Sequence, residues 1–184
     1  MAEARSTDDP AQDAALIARW QAGEERAARE LVERHAPAVT RFVVSLGERD
    51  DVTEVVQDTF VRAFGALDSF RADSALRTWL FTIARRLILD RRRTEKRRGP
   101  AVEIAEDDAI TSDNPLDSLV AQETEDRMRA AVKRLSPTQR EVFTLRVAEG
   151  LSYKEIADLV GTTEGAARVH YHHAMRSVKE YLDA

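Results

Sequence analysis

The amino-acid sequence predicts an all-α protein built from two small helical domains. The 184 residues include only seven Gly and five Pro, while Ala, Leu, Glu and Arg are abundant, and this composition favours helices over sheets. Apolar residues recur at helical spacing, and no segment shows the sustained alternation typical of strands. A hydrophobic content of 43% suffices for packed cores, and one acidic segment divides the chain.

Charge locates the division between the domains. Residues 71–98 hold ten basic and three acidic side chains, whereas residues 99–126 hold nine acidic and no basic ones. The acidic segment opens on Gly-Pro and has Asn-Pro in its middle, which is typical of a solvated linker. We therefore predict a disordered N-terminus over 1–10, a first domain over 11–98, a flexible acidic linker over 99–115 and a second domain over 116–184.

The first domain contains a long helix with one apolar face. The residues of that face, which we expect to be buried, are Ala27, Leu31, His35, Val39, Phe42, Val43 and Leu46. Pro37 lies within this helix, where it removes a backbone donor and crowds the preceding turn, so we expect it to kink or break the helix.

A second helix, near 51–66, separates its residues by face. We expect an apolar core face of Val52, Val56, Phe60 and Ala63, and an outer stripe of Asp51, Glu54, Gln57 and Asp58. An acidic stripe of this kind is either a solvated surface or a surface that binds a basic protein partner, and the pattern leaves both interpretations open.

A third helix, about 75–95, carries the densest positive charge. Its apolar side contains Leu76, Leu80, Ile83, Ala84 and Leu87, opposite Thr78, Thr82, Arg85, Arg86, Arg92 and Arg93. Trp79 lies at the border between the two sides. An exposed indole beside arginines suits a DNA backbone and an unstacked base, and the alternative is an indole half-buried in the core beside a solvated arginine cluster. The sequence favours neither.

The second domain, entered by a helix near Leu116, contains a well-marked helix start. Ser136, Pro137 and Gln139 are an N-cap, a first-turn proline and a capping partner, respectively. We expect the helix that follows to bury Val142 and Leu145.

Residues 152–174 predict a helix-turn-helix. Ser152 and Glu155 form a capping-box pair at the start of the first helix, and Thr162 or Thr163 caps the second. Gly161 can adopt the left-handed backbone of the turn. The small residues that let the two helices approach are Ala157 and Ala167. The alternative is an ordinary helical hairpin.

The second helix of this motif also divides by face. We expect its core side to contain Ala167, Tyr171, Ala174, Val178 and Leu182. The residues left near a DNA groove or its phosphates are Thr163, Glu164, Ala166, Arg168, Val169, His172 and His173, with Lys154 from the first helix.

Several functional classes are disfavoured. The chain has no Cys, and His170 and His173, one turn apart, supply only two metal ligands, so we predict no metal site and no cofactor. No phosphate-binding glycine loop or supported nucleophile is present, so we predict no catalytic residue and no enzyme. The N-terminus lacks a basic-then-apolar order and no apolar run approaches about 18 residues, which predicts a cytoplasmic protein without membrane insertion.

Three segments taken together resemble the bacterial RNA polymerase sigma factors of the extracytoplasmic-function subfamily, within the sigma-70 family. These are DDVTEVVQDTFVRAF, FRADSALRTWLFTIARRLILDRRRTEKRR and the stretch from LSPTQREVF to VKEYL. The resemblance covers most of the chain, and the order of its parts is more specific than a helix-turn-helix alone. It implies two domains, regions two and four, that bind core polymerase, direct it to promoters and assist promoter opening.

The resemblance assigns roles to residues of the first domain. It implies that the basic coiled coil of the largest polymerase subunit is bound by Asp51, Glu54, Gln57, Asp58 and Phe60. It implies that the minus-ten element is recognised and opened by Ser69, Phe70, Arg71, Asp73, Ser74, Arg77, Trp79, Thr82, Arg85 and Arg86. A pocket for a flipped base would offset the few kcal/mol, roughly, that unstacking costs.

The second domain, by the same resemblance, binds the minus-thirty-five element as duplex and contacts the flap of the second-largest subunit. Early residues of its second helix should read bases, while Lys154 and Arg168 should contact phosphates. Promoter DNA, core polymerase and an anti-sigma factor are thus the implied partners. The acidic linker would either screen the DNA-binding surfaces or follow the basic channel of the polymerase.

This chain departs from the family pattern in two places. Relatives commonly show a basic series such as GTVKSRLHRAR, where this chain has GAARVHYHHAM; usual arginines are replaced by His170, His173 and Met175. We therefore expect a weaker or unusual upstream contact, with pH dependence as histidines titrate near ~6.5. Arg86 stands where many relatives have Asn, which changes the expected base preference downstream.

Two other functions remain to be weighed against a sigma factor. A stand-alone helix-turn-helix regulator would bind duplex DNA as a dimer without polymerase, and a protein-binding adaptor would use the basic helix for an acidic partner. The stand-alone regulator would bind a palindromic DNA site by itself and protect it in a footprinting experiment, whereas a sigma factor requires core polymerase for specific transcription.

Overall fold

The computed structural model describes residues 9–48, 51–98 and 117–183. All regular structure within these ranges is helical, which confirms the predicted fold class. The helices are α1 (Pro10–Gln21), α2 (Glu25–Ser45), α3 (Val52–Ala66), α4 (Leu76–Arg98), α5 (Asp117–Lys133), α6 (Pro137–Val147), α7 (Tyr153–Val160) and α8 (Glu164–Leu182), with a 3-10 turn at Leu67–Ser69. The chain divides into two compact units between Arg92 and Arg93. The predicted linker, 99–115, lies outside the described residues.

The sequence patterns do not predict helix α1 as a separate element. Asp9 caps it by accepting hydrogen bonds from the backbone N–H groups of Ala11 and Gln12, and Pro10 occupies the first turn. Asp9 and Pro10 were expected to belong to a disordered N-terminus over 1–10, so this helix corrects the prediction for those two residues. Residues 1–8 lie outside the described part of the chain.

We expected Pro37 to kink or break the long helix α2, but the helix runs continuously through this residue, so the break is wrong. The ring faces the exposed side of the helix, where water can bond to the carbonyl that loses its partner. The expected stripe is buried from Ala27 to Val43, with Ala38 added to it, while Leu46 caps the helix and is half-buried. Within the stripe, His35 lies 3.0 Å from the carboxylate of Asp13 on α1, which gives this buried ring a polar partner.

The core of the first unit forms where α2, α3 and α4 meet. The rings of Phe42 and Phe81 pack with centroids 4.6 Å apart, and both are fully buried. The register of α3 differs from the prediction, because Val55 and Thr59 are buried while Val52 and Val56 are only half-buried.

Helix α4 also differs from its expected sides. Thr78, placed outward by the pattern, is buried, and Ile83 is half-buried. Arg92, also placed outward, donates to the Leu46 carbonyl at the end of α2 and lies 3.0 Å from Glu48. The wider buried face of α4 follows from its contacts with two neighbours rather than one.

The second unit has its own core. Ala131, Leu135, Phe143, Ala174 and Val178 form one cluster between α5, α6 and α8. Val142 and Leu145 are fully buried, as predicted. The capping box of Ser136 and Gln139 is present and starts α6 at Pro137.

Candidate DNA and protein interfaces

Helices α7 and α8 form the predicted helix-turn-helix. The backbone N–H of Glu155 donates to Ser152 Oγ at 3.2 Å, and that of Ser152 donates to Glu155 Oε2 at 2.8 Å, so both halves of the capping box are formed. Gly161 ends α7 at φ 77°, in the left-handed region that glycine adopts without strain. Of the two candidate caps for α8, the structure selects Thr163, which accepts from the Ala166 N–H at 3.1 Å.

The angle between α7 and α8 is held by small and apolar residues. Ile156 and Ala167 are completely buried, and Ala157 is buried beside them. These side chains let the two helices approach closely and pack against each other. The helix-turn-helix prediction is therefore confirmed over the ordinary hairpin.

The outer face of α8 keeps most of the expected residues in contact with solvent. Ala174 and Val178 face the core, and Tyr171 and Leu182 are half-buried against it. Exposed residues are Lys154, Thr163, Glu164, Arg168, Val169, His172 and His173, while Ala166 is half-buried. These positions leave seven of the eight candidate residues accessible to a DNA groove.

Tyr153 is a residue of this surface that the sequence reasoning missed. The guanidinium carbons of Arg146 and Arg168 lie 4.8 and 4.9 Å from the centre of its ring, which are cation–π distances. Arg168 also lies 3.0 Å from Glu164 of the same helix. Arg168 is therefore held by two neighbours, although only its i,i+4 spacing from Glu164 was readable in the sequence.

The acidic stripe on α3 is joined to α4 by one arginine. Arg91 lies 2.8 Å from Glu54, 3.2 Å from Asp58 and 3.5 Å from Asp51. Partial burial lowers the pKa of Arg91, but attraction by Glu54 and hydrogen bonds to Asp58 and Glu54 outweigh it, and the net pKa is raised. The acids themselves remain 45–63% exposed, so the stripe is still available to a partner.

The other candidate residues of α3 divide between surface and core. Gln57 is exposed with the acids. Phe60 is buried, and its ring lies 6.4 Å from that of Phe64. Phe60 therefore lies on the core side of α3, as its helical spacing predicted, and not in the exposed stripe.

The segment between α3 and α4 brings several candidate residues of the minus-ten set together. Phe70 packs against Trp79 with ring centroids 5.1 Å apart and planes tilted by 45°. Ala72 has a positive φ of 58°, which is uncommon for a residue with a Cβ. Arg71, Asp73 and Ser69 are exposed on the same segment. The backbone therefore turns at Ala72, and the loop holds exposed charged side chains close in sequence to the pair of Phe70 and Trp79.

Trp79 is half-buried rather than freely exposed. It lines a small apolar recess together with residues of α2 and α3, including Leu31, His35 and Phe60. Thr82 directs its hydroxyl to the Thr78 carbonyl of its own helix at 3.1 Å. Of the remaining candidate residues of the minus-ten set, Arg86 is exposed, whereas Ser74, Arg77 and Arg85 are half-buried.

Within the described ranges, no group of three or more His, Cys, Asp or Glu side chains is arranged to hold a metal ion. None of the helices in that same part of the chain is both long and apolar enough to cross a bilayer.

A helix-turn-helix in one helical unit and a charged surface in the other are typical of a DNA-binding protein. Two family descriptions match the chain, Sigma-70 region 2 over residues 31–98 and Sigma-70, region 4 over residues 125–178. The chain therefore belongs to the sigma-70 family, in its extracytoplasmic-function subfamily, whose members bind RNA polymerase and give it promoter specificity. A regulator that acts without polymerase is not favoured.

Curated relatives and solved structures agree with this assignment. The chain is 30% identical to the ECF RNA polymerase sigma-E factor of Haemophilus influenzae (92% of this chain, 95% of that one) and 32% identical to that of Escherichia coli K12 (90% and 92%). It is similar to the sigma factor RpoE of Bartonella quintana, solved with the anti-sigma factor NepR (TM-score 0.68, 28% identity, 85% and 96% covered). It is also similar to CnrH, solved with the cytosolic domain of CnrY (0.65, 30%, 94% and 97%).

Proposed function

We propose that the two units of this sigma factor divide promoter recognition between them. The first binds core polymerase and opens the minus-ten element, and the second binds the minus-thirty-five element as duplex. The observation that carries this division is that the two family matches fall on separate compact units, each with its own core. The polymerase supplies the chemistry, so no residue of this chain needs to be catalytic.

The acidic stripe of α3 is the proposed contact with the basic coiled coil of the largest polymerase subunit. Asp51, Glu54 and Asp58 converge on Arg91, so one cation faces three acids and the cluster keeps a net negative charge. That excess attracts a basic partner. Gln57 adds an exposed amide, and Phe60 holds the helix in position.

The proposed minus-ten surface is the loop before α4 together with the basic side of that helix. Phe70 and Trp79 supply an aromatic edge, and Arg71 and Arg86 supply exposed positive charge beside it. An aromatic edge can accept a base that has left the duplex, while arginines attract the displaced strand. Because Trp79 is half-buried and packs against Phe70, we infer that it contacts a base only with the part of its ring that remains exposed.

The proposed minus-thirty-five surface is the outer face of α8. Its first turns are capped and exposed, as a recognition helix in the major groove requires. We assign Lys154 and Arg168 to phosphates. The flap of the second-largest subunit is a further expected contact of this unit.

Reconstituted transcription tests the proposed function. The full chain, added to core polymerase and a library of promoter fragments, should give specific transcripts that reveal the promoter sequence. Alanine at Phe70 and Trp79 should slow promoter opening, while the matched variant Trp20→Ala, a half-buried aromatic residue of α1 outside the recess that Trp79 lines, controls for loss of aromatic packing. Failure to bind core polymerase or to yield any specific transcript would contradict the proposal.

An anti-sigma factor is the second proposed partner. The support is that the similar RpoE structure contains the anti-sigma factor NepR. We also infer that the chain acts in the cytoplasm, because that is where a bacterial polymerase meets its promoters. Co-purification of the tagged chain from its host, followed by identification of a protein that blocks the reconstituted transcription, tests this partner.

A further inference from the structure

One apolar side chain on the recognition surface of the second unit is exposed without an evident structural reason. Val169 is 54% exposed on α8. The buried residues Ala167, Ala174 and Val178 mark the core side of that helix, and at 100° per residue Val169 points roughly the opposite way. Its isopropyl group therefore projects away from the unit and contributes nothing to its core.

The surroundings of Val169 leave it open to a close approach. Gly165, one turn earlier, has nothing within 4 Å of the place where a Cβ would be. The two long charged side chains of the first turns, Glu164 and Arg168, lie 3.0 Å apart, and Arg168 also stacks on Tyr153. Val169 is thus an exposed apolar side chain next to Arg168, whose guanidinium is held by Glu164 and Tyr153.

The chemistry of the major groove gives such a side chain one natural counterpart. Guanine is read by paired donors and adenine by an amide, neither of which valine possesses. Thymine alone presents a C5-methyl group in the groove, and apolar side chains recognise it by contact. We propose that Val169 is a specificity-determining residue that packs against the methyl group of a thymine in the upstream promoter element. This inference rests on the proposed role of α8 as the reader of that element.

Exposure alone does not identify Val169 as a DNA contact, because single exposed apolar residues are common on protein surfaces. Val147, at the end of α6, is 55% exposed and is therefore matched to Val169 in type and exposure. It lies outside the helix-turn-helix. The two valines differ in position, and Val147→Ala serves as the control for a nonspecific effect of losing two methyl groups.

The test replaces thymine with deoxyuridine, which removes only the C5-methyl group. Promoters selected by the reconstituted holoenzyme are resynthesised with each upstream thymine changed in turn, and holoenzyme affinity is measured by competition. One substitution should weaken binding by the full-length wild type about fourfold, the value expected for one buried methyl group. Val169→Ala should bind thymine and uracil promoters equally, while Val147→Ala should retain the wild-type difference.

The outcomes separate this inference from the function on which it rests. Absence of any deoxyuridine effect in wild type, persistence of the effect in Val169→Ala, or its loss in Val147→Ala would each overturn the thymine contact. So would a selected upstream element without thymine on either strand. In all four cases specific transcription with core polymerase would still support the sigma function, whereas failure of transcription itself would refute the proposed function.

Discussion

The outer faces of α3 and α8 are both polar, yet they are organised in different ways. On α3, three acids converge on Arg91, which belongs to α4. Of these acids, Asp58 and Glu54 lie 33 and 37 residues before Arg91 in the sequence. On α8, the start is fixed by Thr163 next to it, and Glu164 pairs with Arg168 within the helix. The proposed polymerase surface therefore depends on tertiary contact, and the proposed upstream DNA surface depends more on local sequence. This difference predicts how each surface responds to substitution.

The largest effect should come from reversing the charge of the α3 surface. The double variant Glu54→Lys with Asp58→Lys should weaken core polymerase binding at least tenfold, because lysines would face a basic partner. Affinity measured by fluorescence titration of core polymerase tests this. Reversal of Glu25 and Glu33, exposed on α2, provides a control of equal charge. Equal losses in the two double variants would show that net charge, rather than this stripe, determines binding.

Removal of the shared cation should have a moderate effect on stability. Arg91→Gln leaves three neighbouring acids unpaired, and we expect the first unit to lose about 1 kcal/mol of unfolding free energy, less at high salt. Urea unfolding at low and high salt measures the change. Arg93→Gln, an exposed neighbour on α4, is the control. A loss that is independent of salt would argue against an electrostatic role for Arg91.

Loss of the α8 cap should affect only the second unit. Thr163→Ala removes the acceptor of the Ala166 N–H and should cost about 1 kcal/mol, with weaker upstream DNA binding. Core polymerase binding through α3 should not change. The adjacent Thr162→Ala, which does not remove the cap, is the matched control. If both variants behave alike in thermal unfolding and DNA binding, the cap does not organise this surface.

The smallest effect should come from the tyrosine between two arginines. Tyr153→Leu removes the ring under Arg168 and should weaken upstream binding two- to fivefold, whereas Tyr153→Phe, which keeps the ring, should not. A double-mutant cycle with Arg168→Ala measures the coupling. Additive losses would mean that Tyr153 does not position Arg168.

The sequence predicted the helices of this protein better than their buried faces. In α3, adjacent valines made two registers possible, and the structure buries Val55 rather than Val56. In α4, Thr78 was placed outward and is buried. A periodic pattern indicates one apolar face of a helix. A helix that packs against two neighbouring helices buries a wider part of its surface, and the pattern does not say where those neighbours lie.

The candidate sites show the same limit. The exposed positions of α8 followed from its sequence, because its core-facing residues are apolar or aromatic at clear helical spacing. The partners of Arg91 and Tyr153 did not, since both contacts join different helices. The two interpretations of Trp79 were also separable only when its neighbours in α2 and α3 were located.

Sequence alone determined where α6 and α7 begin and where the recognition motif turns. Ser136, Ser152 and Thr163 bond to groups three residues away, and Gly161 adopts its left-handed backbone at the turn, so the information is local. Tertiary structure decided which valines are buried, that α2 continues through Pro37, and that three acids share Arg91. These outcomes depend on what packs against each helix, and residues distant in the chain supply that environment.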